Sequence, residues 1–448
     1  MRACAACGAR SIVSSRSPRS SHDAAASSYD VRAGRPMTLV AQAPDTAAVR
    51  EAARRIAPYI RRTPTERSAP ISELAGRDVF LKLENLQRTG AFKIRGALNA
   101  ILQLDPAARA SGVITASAGN HGQGVAFAAK LVGVPACVVL PHGVPIAKLV
   151  AIQRTGAETV LADGGYEGAH ESALRIAAER RMRYVPAFDD DDVIAGQGTV
   201  ALEVLEDADV DTIVVPVGGG GLVAGIAVAI ADHTPRPRIV GVQADGASAF
   251  AASFEQGRVV ERDAATIADG IAVRRPASRT LRIASPALDD IVTVSDEAIA
   301  RAIVLLIERQ KLVAEGAGAA AIAAILEGNG HVGGTRVAAI VSGGNIDPNL
   351  LGKVLQQGLV SAGRYLAFRT WLEDRPGALH ELTGLLAAER INILHVGINR
   401  LGPYAALGRV GLDVIVDTRD RAHADAVLAL VRARGLVAEE LLDTAPHA

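Results

Sequence analysis

Lys93 sits in the run Arg88-Thr89-Gly90-Ala91-Phe92-Lys93-Ile94-Arg95-Gly96, behind small residues and one aromatic. An amine that forms a Schiff base must be uncharged, and desolvation beside an apolar ring lowers a lysine pKa toward that state. Three further segments carry chemistry of their own. Gly218-Gly219-Gly220-Gly221 follows an apolar run and opens a helical pattern near Leu222. Glycines let backbone approach an anion, and a helix N-terminus adds free N–H groups and a favourable dipole, so the segment reads as a phosphate site. Ser117-Ala118-Gly119-Asn120-His121-Gly122-Gln123 could wrap a carboxylate with successive amides, and Asn120 offers a donor and an acceptor to a ring substituent. A plain turn with an Asn cap is the simpler alternative there. His121 fits a structural donor, and nothing in its setting marks it as a catalytic base. Ser342, before Gly343 and Gly344, presents a neutral hydroxyl able to meet a ring nitrogen without protonating it, although lone serines are common turn residues.

A dinucleotide site competes for the glycines. Gly219-x-Gly221-x-x-Ala224 fits a GxGxxA fingerprint, and Asp245 ends the next candidate strand 24 residues after Gly221. That reading leaves Lys93 and the other Gly-rich loops without a role.

The elements that must position these residues alternate from about residue 45 to 350. Strands are expected at Val113–Thr115, Ala136–Leu140, Thr159–Leu161, Thr212–Val217, Arg238–Val242 and Val337–Ile340. Helices are expected at Gly124–Lys130, Tyr166–Arg181 and Leu222–Ala231. This is the βαβ rhythm of an α/β protein with a parallel sheet, in which ligands bind at the carboxyl ends of the strands. From Arg364 the order becomes strand Arg364–Trp371, helix Gly377–Arg390, strand Ile391–Asn399, strand Arg409–Val416, helix Ala422–Arg434, strand Leu436–Leu442. That is a ferredoxin-like βαββαβ unit, joined through a connector at Leu355–Gly363 that holds Gly358.

The 448 residues have zero formal net charge and no long basic run, so nothing points to nucleic acid. Only Cys4, Cys7 and Cys137 are present, too few for a disulfide framework and consistent with a reducing compartment, the cytoplasm. Cys4 and Cys7 have CxxC spacing without a second pair. The uncharged stretch Thr212–Ala231 is broken by Pro216 and the four glycines into pieces too short to span a bilayer. Residues 1–44 are rich in Ser, Arg and Ala, with Asp23 and Asp30 the only acids, and read as a disordered or transit-like extension. Organellar import through it stays open.

These segments together resemble the serine/threonine dehydratases among the tryptophan-synthase-β-like (fold type II) pyridoxal-phosphate enzymes. The likeness runs from about Ile60 to Gly358 and includes Thr89–Gly96, Ser117–Gln123, Gly196–Glu203, Pro216–Gly221, Asp269–Ala272 and Ser342–Asn345. The resemblance implies a catalytic domain over 45–357, with a small subdomain inserted at about 85–190, and pyridoxal 5′-phosphate as cofactor. It implies that Lys93 holds the cofactor covalently, that Gly218, Gly219, Gly220, Gly221 and Leu222 hold its phosphate, and that Asn120 meets its 3′ oxygen. Ser342 would meet the pyridine nitrogen, Phe92 would pack beside the ring, and Ser117, Ala118, Gly119, Asn120 and His121 would take the substrate carboxylate. Residues 364–448 look like a single ACT domain, with Asp374 and Gly377 in a loop that binds an effector such as isoleucine or valine.

The implied activity is β-elimination and deamination of L-threonine, and of L-serine, to 2-oxobutanoate or pyruvate and ammonia. Serine dehydratase, serine racemase, a β-replacement synthase and a catalytically dead amino-acid sensor are the alternatives. Racemases of this family carry Ser where Ala118 stands, and Gln243, Ala247 and Ala249 do not reproduce their metal ligands, so neither racemisation nor a metal is expected. A pairing ACT unit implies a homodimer or homotetramer.

Overall fold

The run Thr212-Ile213-Val214-Val215-Pro216 forms a strand buried along its whole length. Side chains alternate across a strand, so Ile213 and Val215 face one apolar cluster while Val214 faces another. A computed structural model describes residues 43–327, 332–399 and 407–441. In it this strand is central to a six-stranded sheet. The order is Thr65–Arg67, Asp78–Leu83, Arg336–Val341, Thr212–Pro216, Arg238–Ala244, Asp290–Val294, and all neighbours except the first pair are parallel. Helices Asp191–Asp207 and Gly221–Ala229 cover one face and Gly316–Glu327 the other. Because Arg336–Val341 and Thr212–Pro216 are parallel neighbours, Ser342 and Gly218 leave the same sheet edge side by side.

A second sheet, wholly parallel, runs Glu158–Ala162, Ala136–Pro141, Val113–Ala116, Arg183–Tyr184. The Ser117 loop leaves its Val113–Ala116 strand, and helix Asn120–Val132 follows, beginning four residues earlier than its apolar pattern suggests.

The C-terminal unit is an antiparallel sheet ordered Ile393–Asn399, Arg409–Asp417, Tyr365–Glu373, Ala438–Glu440, with helices Ala378–Ala388 and Arg421–Ala433. Along Tyr365–Glu373 every second residue is buried, as one covered sheet face requires. The βαββαβ order stands as expected, and Leu442 lies outside the described residues, as do Cys4 and Cys7. The connector at Leu355–Gly363 needs correction. Most of it completes the helix Pro348–Ser361, and Gly358 is there because a Cβ would come within 2.5 Å of Val304. In sequence, a glycine demanded by helix–helix contact looks the same as a linker glycine.

Candidate active site

Lys93 begins helix Lys93–Leu102, with Phe92 as its N-cap. Backbone bonds fasten this start to the Ser342 loop. Phe92 N–H donates to Ser342 O (3.1 Å), Gly344 N–H to Gly90 O (2.8 Å), and Ala91 bridges Gly343. Two residues into the helix, Arg95 is fully buried and grips Glu84 (2.7 and 2.9 Å) and Glu203 (2.7 and 2.8 Å), with Lys82 also on Glu203 at 2.7 Å. Gly196 allows the Asp191–Asp207 helix to come this close, since a Cβ there would lie 2.6 Å from Arg95 O.

The Lys93 amine donates to Ala187 O (3.1 Å) and lies 5.2 Å from the centroid of the Phe92 ring. Desolvation lowers its pKa to about 8, against the opposing pull of Glu315. The residue after Ala187, Phe188, packs its side chain over the glycine turn. A Cβ on Gly219 would strike the Phe188 ring, and one on Gly221 would come within 2.8 Å of Phe188 Cβ. Gly220 takes φ +92°, a conformation costly for any other residue, and helix Gly221–Ala229 starts directly behind it with its first N–H groups lacking intrahelical partners. Leu222 buries its side chain in the core and contributes only backbone to this turn. A close-walled, side-chain-free turn at a helix N-terminus, beside a neutralisable amine, fits a phosphate-bearing aldehyde. Asp245, which the dinucleotide reading needs, lies exposed in a short turn after the Arg238–Ala244 strand.

Asn120 is not a helix cap. Gly119 occupies that position, and the Asn120 amide is fixed by two side chains. Its Nδ2 donates to Glu315 Oε1 (2.6 Å) and its Oδ1 accepts from Asn345 Nδ2 (2.8 Å). Ser117 Oγ accepts the Gly119 N–H (3.2 Å), shaping the loop, and Ala118 packs beside the Val138 and Leu140 cluster. His121 turns its ring away from the loop: it is 3% exposed, its Nε2 bonds Val185 O (2.9 Å), and burial beside Lys93 drops its pKa to about 3. Only its backbone N–H remains for a carboxylate. Ser342 is buried at the end of its strand. Gln243 donates to Val217 O and accepts from Ala251 N–H, so its amide is committed to backbone. In the C-terminal unit Asp374 N–H bonds Gly408 O, and Gly377 caps helix Ala378–Ala388, while neighbouring Arg375 pairs with Glu381 at 2.9 Å.

Glu315 is the residue that sequence reasoning passed over. It is 4% exposed, and a Cβ on Gly343 would come within 2.5 Å of its Oε1. Burial and Asp269 raise its pKa to about 7, against the Asn120 bond and the charges of Lys148 and Lys93. Its signal was available, because it is the one charge between Lys311 and Glu327, and a lone charge in an apolar stretch must find a partner. A folded-state pKa above the unfolded value means a stabilising contribution complete below about pH 4.5 and lost as pH rises through about 7. Glu315→Gln is therefore expected to flatten the fall in stability between pH 5 and 8 by on the order of 3 kcal/mol. Urea midpoints across that range check it; parallel curves for the two proteins would refute the assignment.

Comparison with known proteins adds relatives to this geometry. A family model described as pyridoxal-phosphate dependent enzyme matches residues 56–343, and an ACT domain model matches 367–435. The L-threonine ammonia-lyase of Thermotoga maritima is 42% identical over 389 residues, covering 86% of this chain and 97% of that protein. Among solved structures, maize serine racemase superposes with a TM-score of 0.67 at 36% identity, covering 71% of this chain and 99% of its own. A threonine deaminase from T.th. gives 0.65 at 39% identity, covering 68% of this chain and 99% of its own.

Proposed function

The chain belongs to the pyridoxal-phosphate dependent enzymes and carries an ACT domain, and from that membership we propose that it deaminates L-threonine to 2-oxobutanoate and ammonia. One arrangement carries the reading. The Lys93 amine rests on Ala187, whose neighbour Phe188 lies on Gly219 and Gly221, while the Phe92 N–H holds the Ser342 carbonyl. These contacts support an amine, an anion cradle and a neutral hydroxyl serving one site.

When bound, pyridoxal 5′-phosphate supplies an electron-withdrawing ring that stabilises negative charge at the substrate Cα. The rest falls to this chain's side chains and amides. Gly218 to Gly221 and the Leu222 N–H would hold the phosphate. Phe92 would flank the ring, and Asn120, aimed by Glu315 and Asn345, would offer its second Nδ2 hydrogen to the 3′ oxygen. Ser342 would meet the ring nitrogen without adding charge. The amides of Ser117 to His121 take the substrate carboxylate at the start of helix Asn120–Val132. Lys93, with its lowered pKa, would serve as the covalent anchor and as the base toward the Cα proton.

Serine racemase is the second reading, favoured by the maize structure. Ala118 opposes it, because a methyl group cannot pass a proton to the second face of Cα. The ACT domain supports feedback by a branched-chain amino acid, isoleucine or valine, at the Asp374–Gly377 loop. Two such domains would pair across copies of the chain, giving a homodimer or homotetramer. No helix among the described residues is long and apolar enough to cross a membrane. The sparse cysteines support the cytoplasm as the site of action.

The purified protein is expected to form 2-oxobutanoate from L-threonine, with pyruvate from L-serine as the lesser product and little D-serine on a chiral column. Keto-acid formation from serine alone, or rapid serine interconversion, would replace the reading. The same assay with isoleucine and valine tests the effector.

A further inference from the structure

Strand Arg183–Tyr184 is only two residues long, yet the segment after it touches both halves of the site. Val185 N–H continues the sheet by donating to Ile114 O (2.9 Å). Its carbonyl then receives two side chains from the neighbouring Val113–Gln123 region: Thr115 Oγ1 (2.9 Å) and His121 Nε2 (2.9 Å). Two residues on, Ala187 O accepts from the Lys93 amine, and Phe188 walls Gly219 and Gly221.

A carbonyl only accepts, so His121 must carry its proton on Nε2, which leaves Nδ1 bare. Nδ1 is buried and has no hydrogen-bond partner among the described residues. An apolar side chain of similar volume would avoid that unfavourable burial and lose nothing but the bond to Val185. The imidazole therefore earns its place through that bond.

We propose that His121 is a positioning residue: its ring clamps the Val185–Phe188 strap, and the strap sets both the resting place of the Lys93 amine and the wall of the glycine cradle. This rests on the pyridoxal-phosphate reading above and extends it to a side chain that touches neither substrate nor cofactor.

The test uses full-length protein with His121→Leu, which removes the donor, and His121→Gln, whose amide nitrogen reaches about as far as Nε2. Three quantities are read: the dissociation constant for pyridoxal phosphate, that for inorganic phosphate on the cofactor-free protein, and the pH midpoint of the cofactor–lysine absorbance. His121→Leu is expected to weaken both affinities about tenfold, the worth of one buried hydrogen bond, and to move the midpoint. His121→Gln is expected to recover most of both. Wild-type affinities and midpoint in His121→Leu would overturn the proposal. So would equal losses in the two variants, which would mean that ring volume matters and the bond does not. Should His121→Leu fail to fold, Thr115→Val removes the other donor to the same carbonyl and must weaken the same quantities. A wild type that takes up no pyridoxal phosphate would sink the functional reading instead, and the inorganic phosphate measurement would still judge the strap.

Discussion

Lys93→Ala is expected to lose the cofactor–lysine absorbance and to lower turnover on the order of 10⁴-fold or more, the scale seen when a covalent catalyst is removed. Proton occupancy at Lys93 sets the size of the effect. With a pKa of about 8, about a tenth of Lys93 amines are neutral at pH 7, against about one in 2,500 for an ordinary lysine. Desolvation beside Phe92 produces that gain, and the bond to Ala187 O leaves the amine poised without a carboxylate clamped on it. Lys82 shows the contrast. Burial lowers its pKa as well, but Glu203 at 2.7 Å opposes that shift directly, where no carboxylate bonds the Lys93 amine. Lys93→Arg is expected to fail equally, since a guanidinium stays charged and cannot form an imine. Borohydride reduction followed by peptide mapping should label the peptide containing Lys93. Retained turnover in Lys93→Ala, or a label elsewhere, would end the assignment.

The parts of this site that could be read from sequence were those in which one short segment carries both the chemistry and its geometry. Four glycines between an apolar run and a helical pattern define their own turn, and the φ of Gly220 agrees. The alternation in Tyr365–Glu373 likewise announces a half-covered sheet. What stayed hidden depends on contacts between distant segments. Asn120 meets Glu315 across 195 positions and Asn345 across 225, so no local pattern reveals which way its amide points. Ala187 and Phe188 have unremarkable side chains and matter only because the strap carries them past Lys93 and the glycines. His121 shows the same limit from the other side. Its setting fits a structural donor and the resemblance puts it in the carboxylate loop, but only the fold shows that its ring turns inward to a backbone carbonyl. Gly358 was misread because close helix approach and chain flexibility both select glycine, and only packing tells them apart.

Arg95→Met is expected to destabilise the protein by about 3–5 kcal/mol, the range for removing one partner of a buried ion cluster. Arg95 and Lys82 balance Glu84 and Glu203, and all but Glu203 are completely shielded from solvent. Without Arg95 the cluster holds one negative charge too many, and Glu84 keeps only Thr63 as a hydrogen-bond donor among the contacts described. Adding Glu84→Gln restores neutrality, so the double variant should recover about half of the loss and expose the coupling in a double-mutant cycle. The effect should reach the site as well. Arg95 lies two residues from Lys93 on the same helical turn and ties it to the Asp78–Leu83 strand's end and to helix Asp191–Asp207. Cofactor affinity in Arg95→Met should therefore fall even at temperatures where the chain remains folded. Urea midpoints and cofactor titrations measured together decide the point. A stability loss under about 1 kcal/mol would show that apolar packing alone seats the Lys93 helix, because a buried cation with four ionic contacts cannot be removed at so small a loss if those contacts hold the helix in place.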